Sequence, residues 1–360
     1  MSNLKRIFAV VLSMAMVFSI ASTSALAADN TEATGGYTVV FDESDYAGLT
    51  LEEAGAKKLR DSGYSQNLVD AMPTENLQII GASPKAQQFV SYYMEVISPN
   101  GNTDLIAISE SDYETASAEV MQNRAEAMAR NITVVDENNQ ILYSPDDAPT
   151  PYVTQSIDGG TLSVVTTLYQ VTGGQLSEYL VTAEYAWTTP PEYRGTDYFG
   201  ITRDTNCSMV PDSFGNATYY REYRYQYLAT VTGVVSALHS TIDHPDEDLP
   251  NEDSAANGFV IKENMPVDVN PPLTMLAGSS FLSRNYADMQ GAVWYRGVLQ
   301  TPSIYPQNFN HWGTYWHQYK TIWGTISLSV PKGASFTVDP EAKYCTPVEH
   351  TILVTWNKVD

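Results

Sequence analysis

The sequence predicts two domains in series, a small α+β domain over residues 29–150 and an all-β antiparallel sandwich over residues 151–360. Three observations carry this. Two capping boxes open helical patterns before residue 130, and helical signals vanish after about residue 152. From there, short runs of Val, Thr, Tyr, Trp and Ile recur between turn clusters, as in antiparallel sandwiches and barrels. The roughly 330 residues that follow an N-terminal leader also exceed what a single compact core usually holds.

The leader is residues 1–28. Lys5 and Arg6 make a basic start, residues 7–20 an apolar run, and Ala25-Leu26-Ala27 a small-residue cleavage site. This is the pattern of a bacterial secretory signal peptide, so the mature chain is expected outside the cell. The apolar run is shorter than the roughly 20 residues that span a bilayer as a helix, and no later segment approaches that length. A mature chain without a transmembrane segment follows.

Thr50-Leu51-Glu52-Glu53 reads as a capping box, in which the Thr50 hydroxyl and the Glu53 carboxylate each accept a backbone N–H of the first turn. It predicts a helix over about 51–62, stopped by Gly63, then a second over about 65–71 that ends before Pro73. A helical turn over 77–80, closed by Gly81, completes this hairpin of helices. Residues 89–97 and 104–108 flank Ser98-Pro99-Asn100-Gly101-Asn102 and predict a β-hairpin. A second capping box, Ser111-Asp112-Tyr113-Glu114, opens an Ala- and Glu-rich helix to Arg130. Residues 132–135 and 141–143 predict another hairpin around Asn138-Asn139, and residues 144–151, with three prolines, a linker.

In the second half the clearest pair is 161–171 with 175–188, joined at Thr172-Gly173-Gly174. Period two puts Tyr179, Val181, Ala183 and Tyr185 on one face and Leu180, Thr182, Glu184 and Ala186 on the other. Further strands fit 217–234, 258–261, 293–299, 323–330 and 351–356.

Two stretches, Leu59-Arg60-Asp61-Ser62-Gly63-Tyr64-Ser65 through Met72-Pro73 and Glu184-Tyr185-Ala186-Trp187 through Arg194-Gly195-Thr196-Asp197, resemble segments of secreted Gram-positive proteins that lack an assigned function. The resemblance implies the compartment and carries over no catalytic residues.

Acids outnumber bases 42 to 19, for a formal charge of −23 that deepens once Lys5 and Arg6 leave with the signal. Nucleic acid is therefore not an expected partner, because neutralising phosphates takes a basic face. The densest set of hard oxygen donors, Asp243, Asp246, Glu247 and Asp248, suits calcium in type, although Pro245 and Pro250 interrupt any EF-hand spacing. No other cofactor is implied. Cys207 and Cys345 are the two cysteines, and outside the cytoplasm they can close one disulfide if the fold brings them within reach.

Tyr219, Arg221, Tyr223, Tyr225 and Tyr227 alternate along one strand and share a face, a platform on which sugars, peptides or cations stack. Ordinary cross-strand pairing produces the same pattern. Trp312 and Trp316 share a face if 310–319 is a strand, serving either as a stacking site or as core. His311 and His317 would lie on the opposite face, too far apart along a strand for one metal. Nucleophile elbows, zinc-helix motifs and phosphate-binding loops are missing from the text. These observations point first to a secreted binding or surface-interaction protein, with a glycan or cell-surface component as partner. An extracellular carbohydrate-active enzyme, needing only a carboxylate pair, and an antagonistic or pore-forming effector are the alternatives.

Overall fold

Thr50 caps the first helix as the sequence predicts. Its hydroxyl accepts from the Glu53 N–H while the Glu53 carboxylate accepts from the Thr50 N–H, and the helix runs Leu51–Asp61 (α1). Gly63, at φ +83°, ends it in the left-handed region that glycine enters freely. Helix α2 (Gln66–Ala71) is capped by Ser65, and α3 spans Thr74–Ala82. Gly81 does not close α3 as expected but lies inside it. A Cβ there would sit 2.0 Å from the Leu51 carbonyl oxygen, and one at Gly55 would sit 1.8 Å from that of Leu77. The two glycines let α1 and α3 touch backbone to backbone. Buried Lys58 then donates to the carbonyls of Gly81 and Ser83, satisfying the C-terminal end of α3.

The protein is mostly antiparallel β-sheet with few helices. The computed structural model describes residues 37–97, 103–113, 128–145, 160–170, 178–191, 194–205, 207–245, 258–299, 307–318, 327–329, 335, 337–339, 344–345 and 347–356. The strands are β1 (Tyr37–Val40), β2 (Lys85–Ile97), β3 (Thr103–Ile108), β4 (Thr133–Val135), β5 (Ile141–Tyr143), β6 (Thr161–Gln170), β7 (Glu178–Thr189), β8 (Thr196–Arg203) and β9 (Cys207–Met209). There follow β10 (Gly215–Thr230), β11 (Gly233–Pro245), β12 (Gly258–Asn264), β13 (Thr274–Leu276), β14 (Ser280–Leu299), β15 (Gln307–Trp316), β16 (Ser327–Ser329), β17 (Thr337–Asp339) and β18 (Val348–Trp356). The expected signal peptide, the turns expected at 98–102 and 172–174, most of the expected Ala- and Glu-rich helix (114–127), most of the expected linker and Trp323 of the expected strand 323–330 lie outside the described residues.

A nine-stranded sheet has the order β1-β2-β6-β7-β14-β10-β11, with β3 beside β2 and β9 beside β14. A four-stranded sheet has the order β12-β8-β15-β18, and β13-β4-β5 forms a small sheet in which β13 and β4 run parallel. The hairpins predicted at 89–108, 132–143 and 161–188 are all present. The single run predicted over 217–234 is two strands, β10 and β11, because the chain reverses between Thr230 and Gly233. The boundary expected at residue 150 does not divide the sheet. β2 pairs β6 from Ala86↔Tyr169 to Met94↔Thr161, so strands from both sides of it share one ladder.

The period-two reading of β7 explains the layering. Tyr179, Val181, Ala183, Tyr185 and Trp187 pack against Phe199, Ile201, Phe259, Ile261, Tyr315 and Ile352 of the four-stranded sheet. Leu180 faces the other way, and with Val165, Tyr169, Ala292 and Trp294 it takes the helices through Leu59, Tyr64, Leu68 and Ile80. Each fully buried side chain of this size removes about 1.5–3 kcal/mol worth of apolar surface from water. Cys207 and Cys345 are both free and buried, so the disulfide allowed by the sequence is not formed. Cys207 is held among the Tyr179 and Tyr295 rings, whereas the Cys345 thiol donates to the Thr103 carbonyl at 3.5 Å.

Candidate functional site

The helix-bearing face of the large sheet is covered at both ends and polar in between. At one end lie the three helices. At the other the small sheet packs Ile132, Val134 and Met275 onto Tyr227 and Ala229. Between them the strands present Glu184 of β7, Gln290 and Asp288 of β14, Tyr219, Arg221 and Tyr223 of β10, and Asp243 of β11.

An irregularity in β14 aims one of these groups. Tyr219 stands opposite Gln290, but Arg221 stands opposite Ala287, so β14 carries one extra residue and bulges. Asp288, within the bulge, adopts φ +50°, a left-handed conformation that aspartate tolerates better than most residues. Its carboxylate thereby accepts from the Tyr223 hydroxyl at 3.1 Å and the Arg221 guanidinium at 3.3 Å. Partial burial holds the Asp288 pKa above the usual carboxylate range. Arg221 also donates to Asp243 at 2.6 Å, and the Tyr219 hydroxyl donates to the same oxygen at 2.7 Å.

Beside this network, α2 stands off the sheet and leaves an open cleft of about 250 Å³. Its floor is Glu184, 3% exposed, and its walls include Asn67, Asp70, Tyr219 and Gln290. The Asn67 amide donates to Gln290 Oε1 at 2.8 Å, tying α2 to β14. Both Glu184 oxygens lie 3.2 Å from one donor, the Ser65 N–H. Burial pushes the Glu184 carboxyl up to about 8, against which the Ser65 hydroxyl and N–H act only in part.

Of the residues singled out from the sequence, Tyr219, Arg221 and Tyr223 meet in this network. Tyr225 and Tyr227 share their face but not their setting: the small sheet covers them, and Tyr227 is fully buried with its hydroxyl on Met128 Sδ. Trp316 is core, packed with Tyr198, Val260, Val338 and Tyr344 and edge-on to the Tyr344 ring, so it offers no stacking surface. Trp312 is half-buried on the four-stranded sheet, away from the cleft. Asp243 is engaged by Arg221 and Tyr219, and the other calcium candidates, Asp246, Glu247 and Asp248, lie outside the described residues. Among the described residues no three His, Cys, Asp or Glu side chains converge as a metal-binding group.

Sequence reasoning missed Glu184 as a site residue, although it is the one charge inside the run Tyr179–Thr189. It also missed an enclosed polar cluster between the sheets. Asp197 accepts from the Gln318 N–H at 3.0 Å and the Tyr315 hydroxyl, and His317 Nδ1 lies 3.1 Å away. Trp187 Nε1 donates to the Tyr315 oxygen at 2.6 Å, and His317 Nε2 faces Glu95 of β2 at 3.6 Å. Burial opposes charge on His317, but the Asp197 and Glu95 carboxylates outweigh it and raise the imidazole to about 9. His311 and His350 bridge the same sheets through the Tyr295 and Ser91 hydroxyls, and burial lowers both to about 3. The three histidines are fully buried, which makes them ties between layers.

Among the described residues no helix is long and apolar enough to cross a membrane. No family model matches the chain, and no curated protein matches it.

Proposed function

We propose that this is a secreted binding protein, a two-sheet sandwich whose contact surface is the polar saddle between the helices and the small sheet, and that its ligand is a glycan. The observation that supports this reading is the open cleft at Glu184, flanked by the Tyr219 ring and continuous with the Arg221 network. A concave site with a few oriented polar groups and an aromatic wall suits a sugar ring, whose faces are apolar and whose edges carry hydroxyls. Hydrogen bonds to Asp243 and Asp288 fix Arg221 and Tyr223 before any ligand arrives, which lowers the ordering cost of binding.

The test is retention of the purified protein on a panel of insoluble glycans that includes peptidoglycan, with the supernatants assayed for released sugar. Retention without release is the expected result. Release would make the protein a carbohydrate-active enzyme, and no retention on any glycan would remove the reading.

A further inference from the structure

The floor of the cleft carries an acid that the surrounding chain does not neutralise. Glu184 is nine-tenths buried and more, yet its carboxyl is hydrogen-bonded by a single neutral residue, Ser65, whose N–H is shared between both oxygens. Among the described residues it forms no ion pair, and no lysine, arginine or histidine lines the cleft. Two other buried carboxylates face a basic side chain, Asp197 an imidazole and Glu222 an arginine, whereas Glu263 shares the unneutralised burial of Glu184 but lines no part of this cleft. The groups around Glu184 add no positive charge. Asp70 stands on the α2 wall and Tyr219 on the β10 wall, while Tyr64 and Tyr113 lie near enough for the Glu184 charge to raise their own pKa values.

On the reading that the saddle is a binding surface, we propose that its cleft takes a primary ammonium group carried by a compact polar molecule and seats it against the Glu184 carboxylate. An ammonium supplies the three donors and the positive charge that this pocket omits, and the Tyr219 ring gives it a second favourable neighbour. The volume sets the size. At about 30 Å³ per molecule of liquid water, 250 Å³ holds on the order of eight waters, enough for one sugar ring or a short alkyl chain. Burial of an acid without a partner favours its neutral form, so Glu184 carries a proton at neutral pH until the cation arrives. Binding then releases that proton to solvent as the carboxylate–ammonium pair forms.

Isothermal calorimetry at pH 7 tests this with glucosamine, N-acetylglucosamine and cadaverine, each in two buffers of different ionisation heat. One or both amines bind and the acetylated sugar does not, and the measured heat changes with the buffer because a proton leaves. Glucosamine alone identifies an amino sugar as the source of the ammonium, and cadaverine alone an alkylamine. Glu184→Gln keeps the acceptor for Ser65 and loses amine affinity at least tenfold without a lower melting temperature. Asp70→Asn, on the exposed wall, loses a few-fold. Equal binding of the acetylated and free sugars, or an E184Q protein that binds amines normally, overturns the ammonium proposal and leaves glycan binding standing. A protein retained on glycans that binds neither amine does the same, whereas one that binds no glycan and no amine overturns both readings.

Discussion

Glu184 and Asp197 sit on consecutive strands, both almost completely buried, and the chain treats them in opposite ways. Asp197 is sealed between the sheets, where a backbone N–H, a phenol and an imidazole all turn towards it. Glu184 opens on a cleft and is hydrogen-bonded by Ser65 alone. The first arrangement makes desolvated charge tolerable by surrounding it with partners, and the second leaves the acid without a basic one. Breaking the first should therefore have the larger effect. Asp197→Ala strands the Tyr315 hydroxyl, the His317 imidazole and the Gln318 N–H in a dry interior, and is expected to cost about 3–5 kcal/mol by urea denaturation. A loss below about 1 kcal/mol would mean that water or a neighbouring group replaces the carboxylate.

Substitution at Glu184 should act with the opposite sign. Its folded pKa, about 8, lies above the ordinary value of 4.5, so the folded protein holds a proton that the unfolded chain gives up as pH rises between those values. This group thus detracts from stability above pH 4.5, increasingly up to about pH 8. Glu184→Gln removes the penalty. It is expected to raise stability by more than about 1 kcal/mol at pH 8.5 and to leave it unchanged at pH 4, where the acid is protonated in both states. Thermal melts of both proteins across that range check it. A side chain that lowers stability where it stands is the kind that function retains, whereas Asp197 needs only its structural role to explain it. Equal stability of E184Q and wild type at every pH would show that an unseen partner already satisfies Glu184.

The layering around these residues was legible. Period two in β7 correctly assigned Tyr179 and Tyr185 to one layer and Leu180 and Glu184 to the other, because a strand between two layers has no freedom to turn a side chain elsewhere. The cap of the first helix was legible too, since Thr50 and Glu53 satisfy each other locally, whereas the helix expected to open at a Ser111 box already includes Glu110 and is capped by Ser109, whose hydroxyl accepts from the Asp112 N–H. What escaped depends on residues far apart in sequence. His317 meets Glu95 across more than two hundred positions, and Glu184 meets Ser65 across 119. Nothing near Gly81 signals that Leu51 will press against it; the glycine reads as a helix stop until α1 is packed on α3. Likewise the stripe Tyr219 to Tyr227 was read correctly as one face, but only the position of the small sheet decides that Tyr225 and Tyr227 are covered while Arg221 is not.

Arg221 sharpens the contrast from the side of the surface. Its side chain is 38% exposed and its partner Asp243 57%, so solvent and salt screen an attraction that would be strong in the interior. Arg221→Ala is expected to cost less than about 1 kcal/mol, the smallest stability change of the three. Its effect on binding should be larger, because the guanidinium bridges Asp243 and Asp288, the two carboxylates to which the Tyr219 and Tyr223 hydroxyls donate. Retention of the R221A protein on the glycan that best holds the wild type should fall at least fivefold while its melting temperature moves by no more than a few degrees. If retention is unchanged, the network is ordinary cross-strand pairing and the contact surface shrinks to the cleft at Glu184. If stability falls as far as with Asp197→Ala, the saddle is a buried joint between the sheet and what covers it, and the distinction between a sealed acid and an open one no longer follows from their surroundings.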